Sequence, residues 1–269
     1  MFVMAQLALE QSSFEFAKER VSMTPQGVYS AKYGNYQLNT AYQPIVKVDR
    51  FTGHQTYGFE SLVRCQKGKD FTPPPAFFSQ VLGRDRFDVE RLCHETHIKN
   101  WKLCADADSS LFINLDVQFL ETKRLDSKNI ALAVSKAQLW GIDPEYLVCE
   151  VIESKVKSLQ TLNYMSDCLR DFGVRIAVDD FGVDYSNIER VRLIEPDFVK
   201  LDGVFFHRFA TNGRLLPMLN DLVARLQDQG AQIIAEAIET EHHRDTALEC
   251  GIDLMQGYYF GRPEIPSGK

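Results

Sequence analysis

Eight short apolar runs, separated by longer amphipathic stretches, constrain this chain more than any other feature of it. They are AYQPIVKV (41–48), YGFESLVR (57–64), LFINLD (111–116), YLVCEV (146–151), RIAVDD (175–180), DFVKLD (197–202), QIIAEAI (232–238) and LMQGYYFG (254–261). Their β-branched and aromatic content reads as strand. Most of the gaps carry helical periodicity. LNYMSDCLRDFG (162–173) has apolar residues at 162, 165, 169 and 172 and ends on Gly173; LPMLNDLVARLQDQG (216–230) ends on Gly230. Strands alternating with helices predict an α/β fold, a TIM-like (β/α)8 barrel, with an open doubly wound sheet as the alternative. The first connection, DRFTGHQT (49–56), is too short for a crossover helix. The first two strands should therefore pair antiparallel, which modifies the regular barrel.

The chain has 269 residues, of which 45% are apolar, close to the roughly 250 typical of a single barrel. Residues 1–38 differ in texture from the rest. They read as an N-terminal extension, partly helical around Phe14–Val21 and loose over Thr24–Leu38, ahead of a barrel over 39–269.

Every run also carries a polar residue within or at the end of its apolar body: Gln43, Glu60, Asn114, Glu150, Asp179 with Asp180, Lys200, Glu236 and Gln256. Singly, each acid could be a strand-end or helix-capping group. Eight strands that all do this point to one pocket, because barrel enzymes converge their functional groups at the C-terminal ends of several strands. Clustered carboxylates repel one another and take up protons unless cations join them. Oxygen ligands suit Mg²⁺ or Mn²⁺, and two adjacent acids such as Asp179 and Asp180 suit a pair of ions of the kind used to hydrolyse phosphate esters.

At this point a family resemblance is visible. The segment FESLVR (Glu60, Ser61, Leu62, Arg64), Asn114 in FINLD, Glu150 and Glu153 in CEVIES, DDFGVDYSN, Lys200 in VKLD, Glu236 and Glu239 in AEAIET, and Gln256 in QGYYFGRP occur in order between Ala41 and Pro263. Together they resemble the motifs of the EAL-domain family of cyclic-di-GMP phosphodiesterases. The resemblance implies a barrel with a reversed first strand, hydrolysis of cyclic-di-GMP to linear pGpG, and two Mg²⁺ or Mn²⁺ ions. By similarity, Glu60, Asn114, Glu150 and Asp179 ligate one ion, while Asp179, Asp180 and Glu236 serve the second, with Asp179 bridging. Lys200 orients the attacking water or stabilises developing charge, and Glu236 acts as base or as ligand. Arg64 pairs with a substrate phosphate, Gln43, Asp202 and Gln256 contribute to substrate binding, and Glu153 steadies the loop after Asp180. A homodimer is expected, with regulation through the N-terminal extension, dimerisation or a separate protein.

Some positions depart from the family pattern. Ser61 replaces alanine, Ile152 threonine, and Ala237 glycine; in the loop, Val183, Asp184 and Asn187 replace threonine, glycine and serine. Asp is among the few residues that tolerate the left-handed conformation. The altered loop supports an alternative function, a receptor or adaptor that binds the dinucleotide or a protein partner without turnover.

Other classes fit less well. A net charge of −7 does not attract nucleic acid over long range. No apolar stretch is long enough for a membrane span, and MFVMAQLALEQSSF lacks the layout of a signal peptide. The six cysteines form no CxxC pair and suit a reduced, cytoplasmic protein. CHETH (93–97) lacks zincin spacing and reads as a surface feature, TPPPAFF (72–78) as a loop entering a helix near Pro75, and Cys149 as a packed thiol.

Overall fold

A computed structural model describes residues 20–104, 108–116, 127–151, 158–182 and 188–267. By internal packing the chain divides into two compact units. One comprises residues 1–42, 61–106 and 264–269, the other 43–60 and 107–263.

In the first unit, β1 (Val21–Met23) pairs antiparallel with β2 (Tyr29–Tyr33). That strand in turn pairs with the start of β3 (Tyr36–Asp49) across a turn in which Gly34 takes a φ of 56°. The end of β4 (Gly53–Lys67) folds back on β5 (Asp70–Thr72) around Gly68, φ 63°. Helices α1 (Pro74–Phe78) and α2 (Arg86–Asn100) follow. Their apolar residues Phe77, Val89 and Leu92 pack with Ala31, Leu38 and Cys65. Two expectations are corrected here. The stretch 24–38, read as loose, carries β2 and the start of β3, because Ala31 and Leu38 are core residues. In CHETH, His97 is buried rather than superficial; Thr40 Oγ1 meets its Nδ1 at 2.8 Å, and burial pushes its pKa down to about 3. The expected helix over 14–21 lies almost entirely outside the described residues.

The second unit is the barrel. Its further elements are β6 (Ser110–Asn114), α3 (Ser127–Leu139), β7 (Leu147–Val151), α4 (Leu159–Asp171), β8 (Arg175–Phe181), α5 (Ile188–Ile194), β9 (Phe198–Leu201), α6 (Gly203–Ala210), α7 (Leu216–Gln227), β10 (Gln232–Ala235), α8 (Glu241–Glu249) and β11 (Leu254–Gln256). Strands run in the order β3-β11-β10-β9-β8-β7-β6-β4, and a β3–β4 pairing closes the circle. From β6 to β11 neighbouring strands are parallel. The reversed strand is β3, antiparallel to β11. The Asp49 carboxylate makes its short link to β4 by accepting from the amides of Phe51 and Thr52, both at 2.8 Å. Strand β4 also comes unusually close to Ser110, since a Cβ on Gly58 would fall 2.3 Å from the Ser110 carbonyl oxygen. Helices α4 and α7 cover the amphipathic gaps read from the sequence, each followed by a left-handed glycine, Gly173 (φ 75°) and Gly230 (φ 92°).

Candidate active site at the C-terminal ends of the strands

The barrel interior is filled by one apolar residue from each of seven strands: Ile45, Phe112, Val148, Ala177, Phe198, Ile234 and Leu254, with Tyr57 of β4 packed against them. Along a strand, residues two apart share a face. Two positions beyond the six apolar residues of the parallel strands stand Asn114, Glu150, Asp179, Lys200, Glu236 and Gln256. On the reversed β3 the matching residue is Gln43, two positions before Ile45. A polar layer therefore lies directly on the apolar layer, at the C-terminal end of the parallel strands. Asn114 stands opposite Glu150, while the stagger of the barrel strands sets Glu150 opposite Ala177, Lys200 opposite Ile234 and Gln256 opposite Ile45.

Lys200 is the hub of that layer. Its side chain is only 1% exposed, and Nζ lies 2.8 Å from Glu150, 2.9 Å from Glu236, 3.1 Å from Asp179 and 3.5 Å from Glu60. Burial alone would lower the lysine pKa, but the four carboxylates raise it well above the ordinary value. Glu60 also accepts from Asn114 Nδ2 at 3.1 Å and from Gln256 Nε2 at 2.7 Å. Gln256 reaches Gln43 Oε1 at 3.3 Å as well, and Gln43 donates to the Gly261 carbonyl at 3.3 Å.

One ammonium does not satisfy this many acids. Among the described residues, neither Glu150 oxygen nor Asp179 Oδ1 has a hydrogen-bond partner beyond its ion-pair contact with Lys200. Burial, reinforced by the Glu60 charge and only partly offset by Lys200, holds Glu150 well above the usual carboxylate range. Burial likewise pushes Glu236 up to about 8, with Lys200 opposing and Asp179 and Glu60 adding to the rise.

Asp180 follows Asp179 directly and would face away from it in a regular strand. The β8–β9 ladder shifts register between Val178 and Phe181, and Asp180 takes a left-handed φ of 56°. This bulge re-aims Asp180. Carboxylate oxygens of Asp179, Asp180 and Glu236 consequently lie within 4.8 Å of one another. Orphaned buried oxygens beside an all-oxygen cluster fit a hard divalent cation.

The other expected residues make contacts of their own. Asp202 is the N-cap of α6, where its Oδ1 accepts from the Phe205 amide at 2.9 Å, a contact worth about 1 kcal/mol. Arg64 belongs to the first compact unit, where it donates to the Val63 carbonyl at 3.2 Å. Glu153 and the substituted positions 183, 184 and 187 lie outside the described residues. Cys149, beside Glu150 on β7, is half-buried, and burial raises its pKa to about 12. Sequence reasoning did not anticipate that the strand ends rely on close backbone approaches. A Cβ on Gly257 would lie 2.1 Å from the Ile238 carbonyl oxygen, and one on Gly203 would lie 2.4 Å from Ala237 Cβ.

Comparison with known proteins agrees with this architecture. The chain is 34% identical over 235 residues to the cyclic di-GMP phosphodiesterase RocR of Pseudomonas aeruginosa, a match covering 85% of this chain and 58% of RocR. It is 28% identical over 265 residues to the oxygen sensor protein DosP of Escherichia coli, covering 94% of this chain and 32% of DosP. The chain thus spans a third to just over half the length of these relatives. Among solved structures, the EAL domain protein of Listeria monocytogenes superposes with a TM-score of 0.72 at 27% identity, over 85% of this chain and 89% of that one. BlrP1 of Klebsiella pneumoniae, solved as a calcium and cyclic-di-GMP complex, has the same fold with a TM-score of 0.73 at 23% identity, over 86% of this chain and 56% of that one. The sequence profile of the EAL domain matches residues 29–263, nearly the whole chain, and this protein belongs to the EAL domain family.

Proposed function

We propose that this protein hydrolyses cyclic-di-GMP to linear pGpG with the aid of two Mg²⁺ or Mn²⁺ ions. The observation that carries the reading is the over-charged polar layer, four buried or half-buried carboxylates around one ammonium, in which both Glu150 oxygens and Asp179 Oδ1 have no hydrogen-bond partner among the described residues. The names of its relatives and the ligand of BlrP1 support the substrate.

Asp179, Asp180 and Glu236 would hold one ion, and Glu60, Asn114, Glu150 and Asp179 the other, with Asp179 shared. Bound there, such ions supply Lewis acidity and lower the pKa of water. The chain's own groups do the rest. Lys200 Nζ holds four carboxylates in one layer and is assigned to orient the attacking water or offset developing negative charge. Glu236, with its raised pKa, can take or hold a proton at its carboxylate. Glu60 is fixed from both sides by Asn114 and Gln256, which leaves it little rotamer freedom. Gln43, Gln256 and Asp202 are assigned to the substrate side, Arg64 to a phosphate, and Glu153 to support of the loop after Asp180. The reading has the protein acting in the cytoplasm as a homodimer, with residues 1–38 as an extension to the barrel and a separate protein as one route of control.

Incubation with cyclic-di-GMP and Mg²⁺ or Mn²⁺, followed by product analysis, tests this. The expected product is pGpG. Saturable binding without pGpG would overturn the hydrolase and leave a dinucleotide receptor.

A further inference from the structure

Glu236 is the last residue bonded along β9: its amide donates to the Leu201 carbonyl at 3.2 Å. Two residues on, Ile238 is bonded toward β11, donating to the Gln256 carbonyl at 3.0 Å and accepting from the Tyr259 amide at 2.9 Å. Ala237 must make the whole change of direction, and it does so with a φ of 51°. For a residue with a Cβ that conformation costs roughly 1–2 kcal/mol, so its surroundings must enforce it. Two contacts from α6 do so, joined by His243 of α8, which also hydrogen-bonds the Ala237 backbone. The Ala237 methyl fills the space that Gly203 leaves, since a Cβ on Gly203 would fall 2.4 Å from it. The Ala237 carbonyl meets His207 Nε2 at 2.8 Å. A carbonyl only accepts, so His207 carries its proton on Nε2 and donates. The ring is itself braced, lying 4.1 Å from the ring of His243, whose Nδ1 accepts from the Glu239 amide at 3.4 Å.

We propose that His207 is a positioning residue for Glu236: its hydrogen bond to the Ala237 carbonyl holds the left-handed turn that aims Glu236 at Lys200 and the Asp179–Asp180 pair. His207 touches none of these groups and acts only through the backbone of Ala237. In its kinetic arm the proposal rests on the hydrolase reading above.

The test compares His207→Ala, His207→Gln and the double variant His207→Ala/Ala237→Gly, with thermal melts as a control for folding. In His207→Ala, kcat falls at least about tenfold and KM stays within about twofold, because small misplacement of a catalytic group costs up to about a hundredfold in rate. His207→Gln, whose amide still offers an N–H, keeps kcat within about threefold. Glycine adopts φ above zero without strain, so Ala237→Gly restores most of the lost kcat. A role in packing α6 alone would not be rescued in this way. Unchanged kcat in His207→Ala, or a loss that Ala237→Gly does not restore, overturns the proposal. Amide hydrogen exchange at Glu236 and Ile238 gives a readout independent of turnover. Exchange speeds up in His207→Ala and slows again in the double variant; unaltered exchange overturns the proposal even if the wild-type protein proves to be a receptor. Absence of pGpG from the wild type, by contrast, counts against the hydrolase reading alone.

Discussion

Lys200 and Arg175 flank the apolar layer of the barrel from opposite ends, and they are treated in opposite ways. At the C-terminal end of the parallel strands, Lys200 sits among Glu60, Glu150, Asp179 and Glu236. At the other end, two positions before Ala177, Arg175 donates to Ser110 Oγ at 2.6 Å and Tyr57 Oη at 3.0 Å and lies over the Phe198 ring at 5.3 Å. Arg175 meets neutral hydroxyls and an aromatic face, which tie strands together, although among the described residues its buried Nε has no hydrogen-bond partner. Lys200 meets more negative charge than it can neutralise. In a barrel, one end carries chemistry and the other stability, and here the charge balance around a single side chain distinguishes them.

The largest effect that would sharpen this contrast is on turnover. Glu60→Ala removes an acid held by Asn114 and Gln256 and should abolish pGpG formation; retained activity would refute the place given to Glu60. Next comes stability. Lys200→Met leaves four acids facing one another, and removing one partner of a buried ionic cluster costs about 3–5 kcal/mol. Urea melts of the metal-free protein near pH 7 measure this, and the loss should shrink when Mn²⁺ is added.

A third effect depends on pH. Glu236, raised from 4.5 to about 8, binds its proton more tightly in the folded state than in the unfolded one. Its contribution to stability is therefore complete below about pH 4.5 and is lost as pH rises toward 8. Glu150 shifts in the same direction. Metal-free protein should weaken over that window in urea melts, and saturating Mn²⁺ should flatten the slope. A flat profile without metal would mean that the surplus charge is neutralised in some other way.

The smallest effect lies at the Arg175 end. Arg175→Met should cost about 1–2 kcal/mol, the scale of its hydrogen bonds, with kcat and the pH profile unchanged. A matching fall in kcat would break the distinction between the two ends.

The contrast was half legible in the sequence. Because strand faces repeat every second residue, the apolar runs and the acids within them predicted both the barrel and the layer containing Glu150, Asp179, Lys200 and Glu236. The short link after Asp49 revealed the reversed strand. What could not be read is conformational. No periodicity announces that Asp180 turns left-handed at a bulge, or that Ala237 does so after Glu236, since tertiary contacts impose both. That Asp202, assigned by resemblance to substrate binding, also caps α6 through its Oδ1 could not be read either. The strand over Tyr29–Tyr33 was missed because its residues Tyr-Ser-Ala-Lys-Tyr form a short, mixed run whose partner lies only two residues downstream. Arg175 went unremarked because a cation opening a strand resembles any surface charge.

The bulge at Asp180 also makes the paired acids sensitive to length. In a regular strand a one-residue slip exchanges the two faces, but here the extra residue brings both acids to one side. Deleting a residue between Val178 and Phe181 would restore plain alternation and leave room for only one inward acid, whichever of the two survived. At this strand end the number of residues matters as much as their charge.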